Sequence, residues 1–225
     1  MDSNTPMRLR VDIVSDVVCP WCIIGYLQLT RAVAQTPGEF ELDIHWQPFE
    51  LNPHMPAGGQ DLREHIAQKY GSSPQQSQGA RQRLTDIGQD LGFHFDYFEG
   101  MRMVNTFKAH QLLAWAEPSG KQTALKLALF KAFFSERKDV SDSDELIAVA
   151  KATGFDAGEA AAVLEEGSFA EQVRREQSEW LDREVHAVPT FFIQGSYMIP
   201  GAQDATVFAR VLQRIKKKEL AGTAA

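Results

Sequence analysis

Strand-like patterning is confined to the two ends of this chain, with a long stretch of helical periodicity between them, and that division limits the folds open to it. Leu9 to Val14 alternate apolar and polar residues and then run apolar, as a strand with one buried side does. A helical pattern follows through Ile23, Ile24, Leu27, Leu29, Val33 and Ala34 and stops at Pro37-Gly38. Phe40 to Phe49 alternate again, with Phe40, Leu42, Ile44 and Trp46 on one face. A strand, helix and strand of these lengths make a βαβ unit, so the two strands should run parallel with a right-handed crossover.

From about Asp61 to His186 there is hardly a strand candidate. Apolar spacing of three and four predicts helices near Leu62 to Tyr70, Gln75 to Leu91, Thr106 to Glu117, Thr123 to Ser135, Asp142 to Thr153, Asp156 to Glu165 and Phe169 to Glu184. Gly71-Ser72-Ser73-Pro74 and Pro118-Ser119-Gly120 break the run. Asp142 and Asp156 read as helix caps, with Glu145 completing a capping box at the first. Strand signals return at Thr190 to Ile193 and Tyr197 to Ile199, joined by a hairpin turn at Gln194-Gly195-Ser196. Asp204 to Ile215 form a last amphipathic helix. The chain is therefore of the α/β class: an N-terminal half at 8–60, a helical insertion at 61–186 and a C-terminal half at 187–217.

Its only two cysteines sit together as Cys19-Pro20-Trp21-Cys22, between the first strand and the first helix. At the start of a helix, unpaired backbone N–H groups and the positive end of the dipole favour an anion, so a thiolate at Cys19 is expected to be stabilised. Cys22, one turn on, shares its face and can attack a mixed disulfide formed at Cys19. Cys19 is thus the nucleophile and Cys22 the resolving thiol. Pro20 suits the first helical position, and Trp21 adds a flat apolar surface beside the sulfurs. A structural zinc site would need about four ligands, and no second cysteine pair exists to supply them.

A net charge of −7 argues against nucleic acid as a partner. The one dense basic run, Arg214, Lys216, Lys217 and Lys218, reads as cations complementing the last turn of a helix. No stretch of about eighteen apolar residues offers a membrane span. The polar N-terminus lacks the pattern of a secretory signal, which points to the cytoplasm, where a cysteine pair is expected to be transient and catalytic.

Several motifs in this order carry a family resemblance. Ser15-Asp16 ahead of the cysteines, Phe49-Glu50-Leu51-Asn52-Pro53, Asn105-Thr106 with Ala109-His110, Val188-Pro189-Thr190-Phe191 and Gly201-Ala202-Gln203 together resemble the FrnE-type disulfide oxidoreductases. These belong to the DsbA-like branch of the thioredoxin fold, sister to the kappa-type glutathione transferases and the 2-hydroxychromene-2-carboxylate isomerases. The resemblance runs from about Leu9 to Ile215. Pro at the start of a strand is ordinarily a trans edge residue. The resemblance implies instead a cis Val188-Pro189 bond facing the cysteines, with Pro189 a site residue and the Val188 and Thr190 backbone pairing with an extended substrate. Trp21 stands where periplasmic DsbA oxidants carry a histidine, which implies a milder oxidant and service as a reductase or isomerase.

Asp16 and Glu50 are acids placed to take the proton of Cys22, although Asp16 fits equally as a cap and either fits a solvated surface. His110, one turn after Thr106, is a substrate-side candidate; Asn52, Asn105 and Gln203 are further contacts for substrate or glutathione. Phe93, Phe95, Tyr97 and Phe98 could rim a pocket, and by base rates belong to a core. The activity expected is thiol:disulfide exchange with protein or peptide thiols, reduced by glutathione or thioredoxin, with no metal or nucleotide cofactor. The rivals are a glutathione-dependent isomerase or transferase of the kappa type, which commonly has serine where Cys19 stands, and a non-catalytic peptide-binding or chaperone-like protein.

Overall fold

Met7–Ser15 form β1, the strand on which the fold is organised. The computed structural model describes residues 5–222. Helix α1 (Pro20–Ala34) leads from β1 to β2 (Phe40–Pro48), which pairs with β1 in parallel from Met7 opposite Phe40 to Ser15 opposite Pro48. The parallel βαβ unit expected from the alternation is therefore present.

The next elements are β3 (Gln60–Asp61), α2 (Leu62–Tyr70), α3 (Pro74–Leu91), β4 (Arg102–Met103), α4 (Phe107–Ala116), α5 (Gln122–Ser135), α6 (Ser143–Ala152), α7 (Ala157–Glu166) and α8 (Ala170–Asp182). The seven helices fall where the periodicity placed them. The two-residue strands β3 and β4 pair with each other and are too short to show any alternation. Helix α3 opens with a reciprocal capping box between Ser73 and Gln76 and ends at Gly92, whose positive φ of 79° suits glycine. The box expected at Asp142 is only half formed. Asp142 accepts from Asp144 and Glu145 N–H groups, but the Glu145 carboxylate turns to Lys138 Nζ at 3.1 Å.

The chain then returns through β5 (Thr190–Ile193), β6 (Tyr197–Pro200) and α9 (Ala205–Gly222). Strand β5 runs antiparallel to β1 and β6 antiparallel to β5, giving the sheet order β2-β1-β5-β6. At the hairpin, Gln194 and Gly195 take φ values of 51° and 66°, the left-handed pair of a type I′ turn. Gln194 also ties the turn to β1, donating its N–H to Arg10 O and accepting the Arg10 N–H through Oε1. Helix α9 continues past the expected end at Ile215, so the basic run lies in its body rather than in a last turn. Lys216 instead pairs with Glu39 at 2.9 Å, and Lys218 lies over the Tyr197 ring.

Alternation along β1 builds two cores. Leu9, Val11 and Ile13 join α1, α5 and α9 in the main one, which also takes in Phe130, Phe133 and Phe134 of the insertion. Val14 faces the other way, with Phe49, Trp180, Val185 and Phe192. Phe93 and Phe95 pack into the main core against each other and Phe134, and Phe95, Tyr97 and Phe98 also line a surface cleft. This is a thioredoxin-like fold with a helical insertion between its two halves.

Candidate active site

Cys19 is the N-cap of α1 and Pro20 its first helical residue, so the ring sits where no N–H is needed. Cys19 N–H bonds back to Asp16 O, and Cys22 N–H to Cys19 O, folding the motif into the first turn. Both thiols are free. Cys22 is fully buried and Cys19 is 4% exposed, while Trp21 between them is 39% exposed. The motif therefore presents the indole to solvent, with Cys19 almost covered beside it and Cys22 fully beneath.

The Val188-Pro189 peptide bond is cis, and the Val188 carbonyl oxygen lies 3.6 Å from Cys19 Sγ. Thr190 is buried in β5, its hydroxyl donating to Ala187 O, and the Pro189 carbonyl accepts the Gly201 N–H at 2.8 Å. The motif near Gly201 is thus a latch on the proline loop; Gln203 serves it by donating from Nε2 to Pro200 O. The close approach depends on Gly25 in α1. A β-carbon there would stand 3.0 Å from the Phe191 ring, 3.2 Å from the Pro189 ring and 3.3 Å from Ala202 Cα. Gly25 gave no sign of this in the sequence, where it is one glycine inside a helical pattern.

Charge in the site is distributed differently from the expectation at Cys19. Its hydrogen bond to Cys22, then burial and the Cys22 charge, hold the Cys19 thiol well above the ordinary range. Burial would raise Cys22 as well, but hydrogen bonds from Cys19 and Ser15 and the charge of Lys126 outweigh it and bring that thiol down. The dithiol therefore parts with one proton readily and keeps the other, a property of the pair. The helix end favours an anion, yet the stronger partners, Ser15 and Lys126, stand behind Cys22.

Asp16 is buried, and its Oδ2 accepts the Leu51 N–H at 2.8 Å. Its Oδ1 meets His110 Nε2 at 3.4 Å, a contact too loosely aligned to be a hydrogen bond, and neither atom has another partner. Burial would raise the Asp16 carboxyl, but His110, the Leu51 N–H and Lys126 hold it below its ordinary range. His110 is thus 2% exposed and paired with Asp16, not set on an open substrate face. Glu50 is drawn toward α8, its Oε1 accepting from Gln177 Nε2 while its N–H donates to Gln177 Oε1. Asn52 Oδ1 accepts from Lys69 Nζ at 2.7 Å, and Asn105 Oδ1 accepts the Phe107 N–H at the start of α4.

Lys126 on α5 is the residue that sequence reasoning passed over. It is fully buried, donates from Nζ to Ser15 O at 3.4 Å, and lies 5.3 Å and 5.1 Å from the Trp46 and Phe130 ring centres. A signal existed: Lys126 occupies the buried stripe of Gln122, Leu129, Phe130 and Phe133, where a charge is out of place.

The sequence model of the DSBA-like thioredoxin domain matches residues 10–213. The chain belongs to the DsbA-like thioredoxin-domain family. Among solved structures, this DsbA-like chain is similar to a probable DsbA oxidoreductase, SCO1869 from Streptomyces coelicolor, at 30% identity and a TM-score of 0.86, over 92% of this chain and 89% of that one. It is similar to the uncharacterized protein YwbO of Bacillus subtilis (strain 168), 25% identical over 214 residues, 95% of this chain and 100% of that protein. The cytosolic disulfide reductase DsbM from Pseudomonas aeruginosa, also solved with GSH, shares the fold at 17% identity and a TM-score of 0.59, over 92% of this chain and 98% of that one. Thiol oxidoreductase chemistry is the activity these DsbA-like relatives point to.

Proposed function

We propose that this DsbA-like protein is a FrnE-type thiol:disulfide oxidoreductase that reduces or isomerises protein and peptide disulfides through Cys19 and Cys22. The observation that carries the reading is the stacking of the three elements: Cys19 at the helix end, Cys22 buried under it, and the Val188 carbonyl before cis-Pro189 against Cys19 Sγ. Cys19 is the attacking sulfur because access selects it. Cys22 has no exposed surface, so a substrate disulfide reaches only Cys19, and a proton shift within the hydrogen-bonded pair supplies the thiolate there.

An extended substrate would lie along the Val188 to Thr190 backbone, with Trp21 as an apolar contact on its other side. Cys19 attacks the substrate disulfide, one substrate thiol leaves, and Cys22 then attacks Cys19 Sγ to release the second. The cytoplasm is the compartment that suits a pair working in this direction. Glutathione fits as the reductant, in keeping with the GSH complex of DsbM, with Asn52 and the Val188 backbone nearest to hand. No helix among the described residues is long and apolar enough to cross a membrane.

The test is insulin-disulfide reduction with glutathione as reductant, followed by mass analysis of the trapped species. Cys19→Ser should abolish turnover, and Cys22→Ser should accumulate a mixed disulfide at Cys19. Full activity in both variants would overturn the reading.

A further inference from the structure

A cleft of about 310 Å³, whose lining includes neither Trp21 nor the cysteines, opens between β2, α4, α5 and α8. Lys126 and His110, both buried, form part of its inner wall. Its other charged groups are Arg10 and Asp12 of β1, Glu117 after α4, Glu176 and Glu179 of α8, and Arg183 just past that helix. Toward the site, Lys126 is faced by Asp16 beyond β1 and by Cys22 and Cys19 on α1. Ser15 links the two groups: its carbonyl accepts from Lys126 Nζ, and its buried hydroxyl, without a hydrogen-bond partner in the geometry, acts on the Cys22 thiol.

We propose that Lys126 carries the proton of Cys22 between the buried sulfur and this cleft, so that the resolving thiol is deprotonated from the insertion side and not from the substrate face. The inference rests on the dithiol reading above and adds a proton route to it. Substrate bound at Cys19 covers the less buried of the two cysteines, and the fully buried Cys22 thiol beneath it needs another way out for its proton. Burial lowers the Lys126 ammonium from 10.5 to about 8, against the opposing pull of the Cys22, Asp16 and Cys19 charges. The sulfur charge vanishes when the two sulfurs are joined, so the amine holds its proton less tightly in the oxidised protein.

The step balances as follows. In the mixed disulfide, Cys22 gives its proton to the neutral Lys126 amine, and the Cys22 thiolate attacks Cys19 Sγ. The Cys19–Cys22 bond forms, the bond from Cys19 to the substrate sulfur breaks, and that sulfur leaves with the electron pair and takes a proton from water. The dithiol is oxidised by two electrons and the substrate disulfide reduced by two. The Lys126 ammonium, its thiolate neighbour gone, releases its proton into the cleft. Lys126 is a positioning and proton-carrying residue here; it does not touch substrate.

The test uses the reduced full-length protein with Ellman's reagent, in which the first release of thionitrobenzoate reports attack by Cys19 and the second reports resolution by Cys22. Lys126→Met should slow the second release relative to the first by about 100-fold near neutral pH, the low end of a general-base contribution. Its rate should go on climbing with pH where the wild-type rate levels off. Lys126→Arg, which keeps a charge but does not shed its proton, should also be slow. A second release unchanged in rate and pH profile in Lys126→Met would overturn the inference. Should the variants fail to fold, carbon-13 NMR titration of Lys126 in the wild-type protein decides it: titration at lower pH in the disulfide form than in the dithiol form is expected, and identical titration overturns it. A wild-type protein that gives only one release would remove the dithiol reading, and this inference with it; two releases indifferent to Lys126 would remove the inference alone.

Discussion

Asp16 keeps its charge in a place where burial alone would take it away. His110, the Leu51 N–H and Lys126 converge on the carboxylate and hold its pKa below the ordinary value of 3.8. A carboxyl whose folded value is depressed contributes stability that is present above its unfolded value and lost as pH falls through the folded one. Thermal melts of the wild-type protein should therefore drop as pH is lowered below about 4, and Asp16→Asn should flatten that drop while costing about 2 kcal/mol at neutral pH. A variant with the wild-type acid slope would show that other carboxylates set it. In the sequence Asp16 could be noticed beside the cysteine motif, but whether it capped, faced solvent or was buried turned on Leu51 and His110, residues 35 and more positions away. Lys126 leaves a partial mark in the sequence, a charge on an apolar helical stripe, but its partner, Ser15, lies 111 positions earlier in the chain.

Among elements, α5 does more than fill the insertion. Gln122 in its first turn accepts the Trp46 N–H at 2.8 Å and donates from Nε2 to the Trp46 carbonyl at 3.1 Å, so one side chain stands in for a missing neighbour at the edge of β2. Its amide donates to Leu113 O as well, tying α4 to the same edge. Gln122→Ala would leave the buried Trp46 peptide groups unpaired and should destabilise the fold by about 3 kcal/mol, measured by urea denaturation. The helices and strands themselves were legible, because periodicity and turn residues are local properties. The capping box at Asp142 and the end of α9 were misjudged for the converse reason: Glu145 was drawn off by Lys138, and α9 was extended past its apolar stripe with Lys216 anchored on Glu39.

Across the whole molecule the main core is continuous from β1 through α5 to α9, although the two halves of the sheet are more than a hundred residues apart in sequence. The insertion should therefore not unfold separately. Far-ultraviolet circular dichroism and tryptophan fluorescence, the latter reporting from Trp21, Trp46, Trp115 and Trp180, should give coincident guanidinium transitions; two resolved steps would show an independently stable insertion. The chain alone was enough to place the Cys19-Pro20-Trp21-Cys22 pair at a strand-to-helix junction and to read the order of elements around it, since both are written in neighbouring residues. Three-dimensional closure was needed to bring Lys126, His110 and Asp16 behind Cys22, to lay Gly25 against Pro189, and to choose which sulfur carries the charge. Those outcomes depend on packing between segments far apart along the chain and on the electrostatics of burial, neither of which leaves a periodic mark in the sequence.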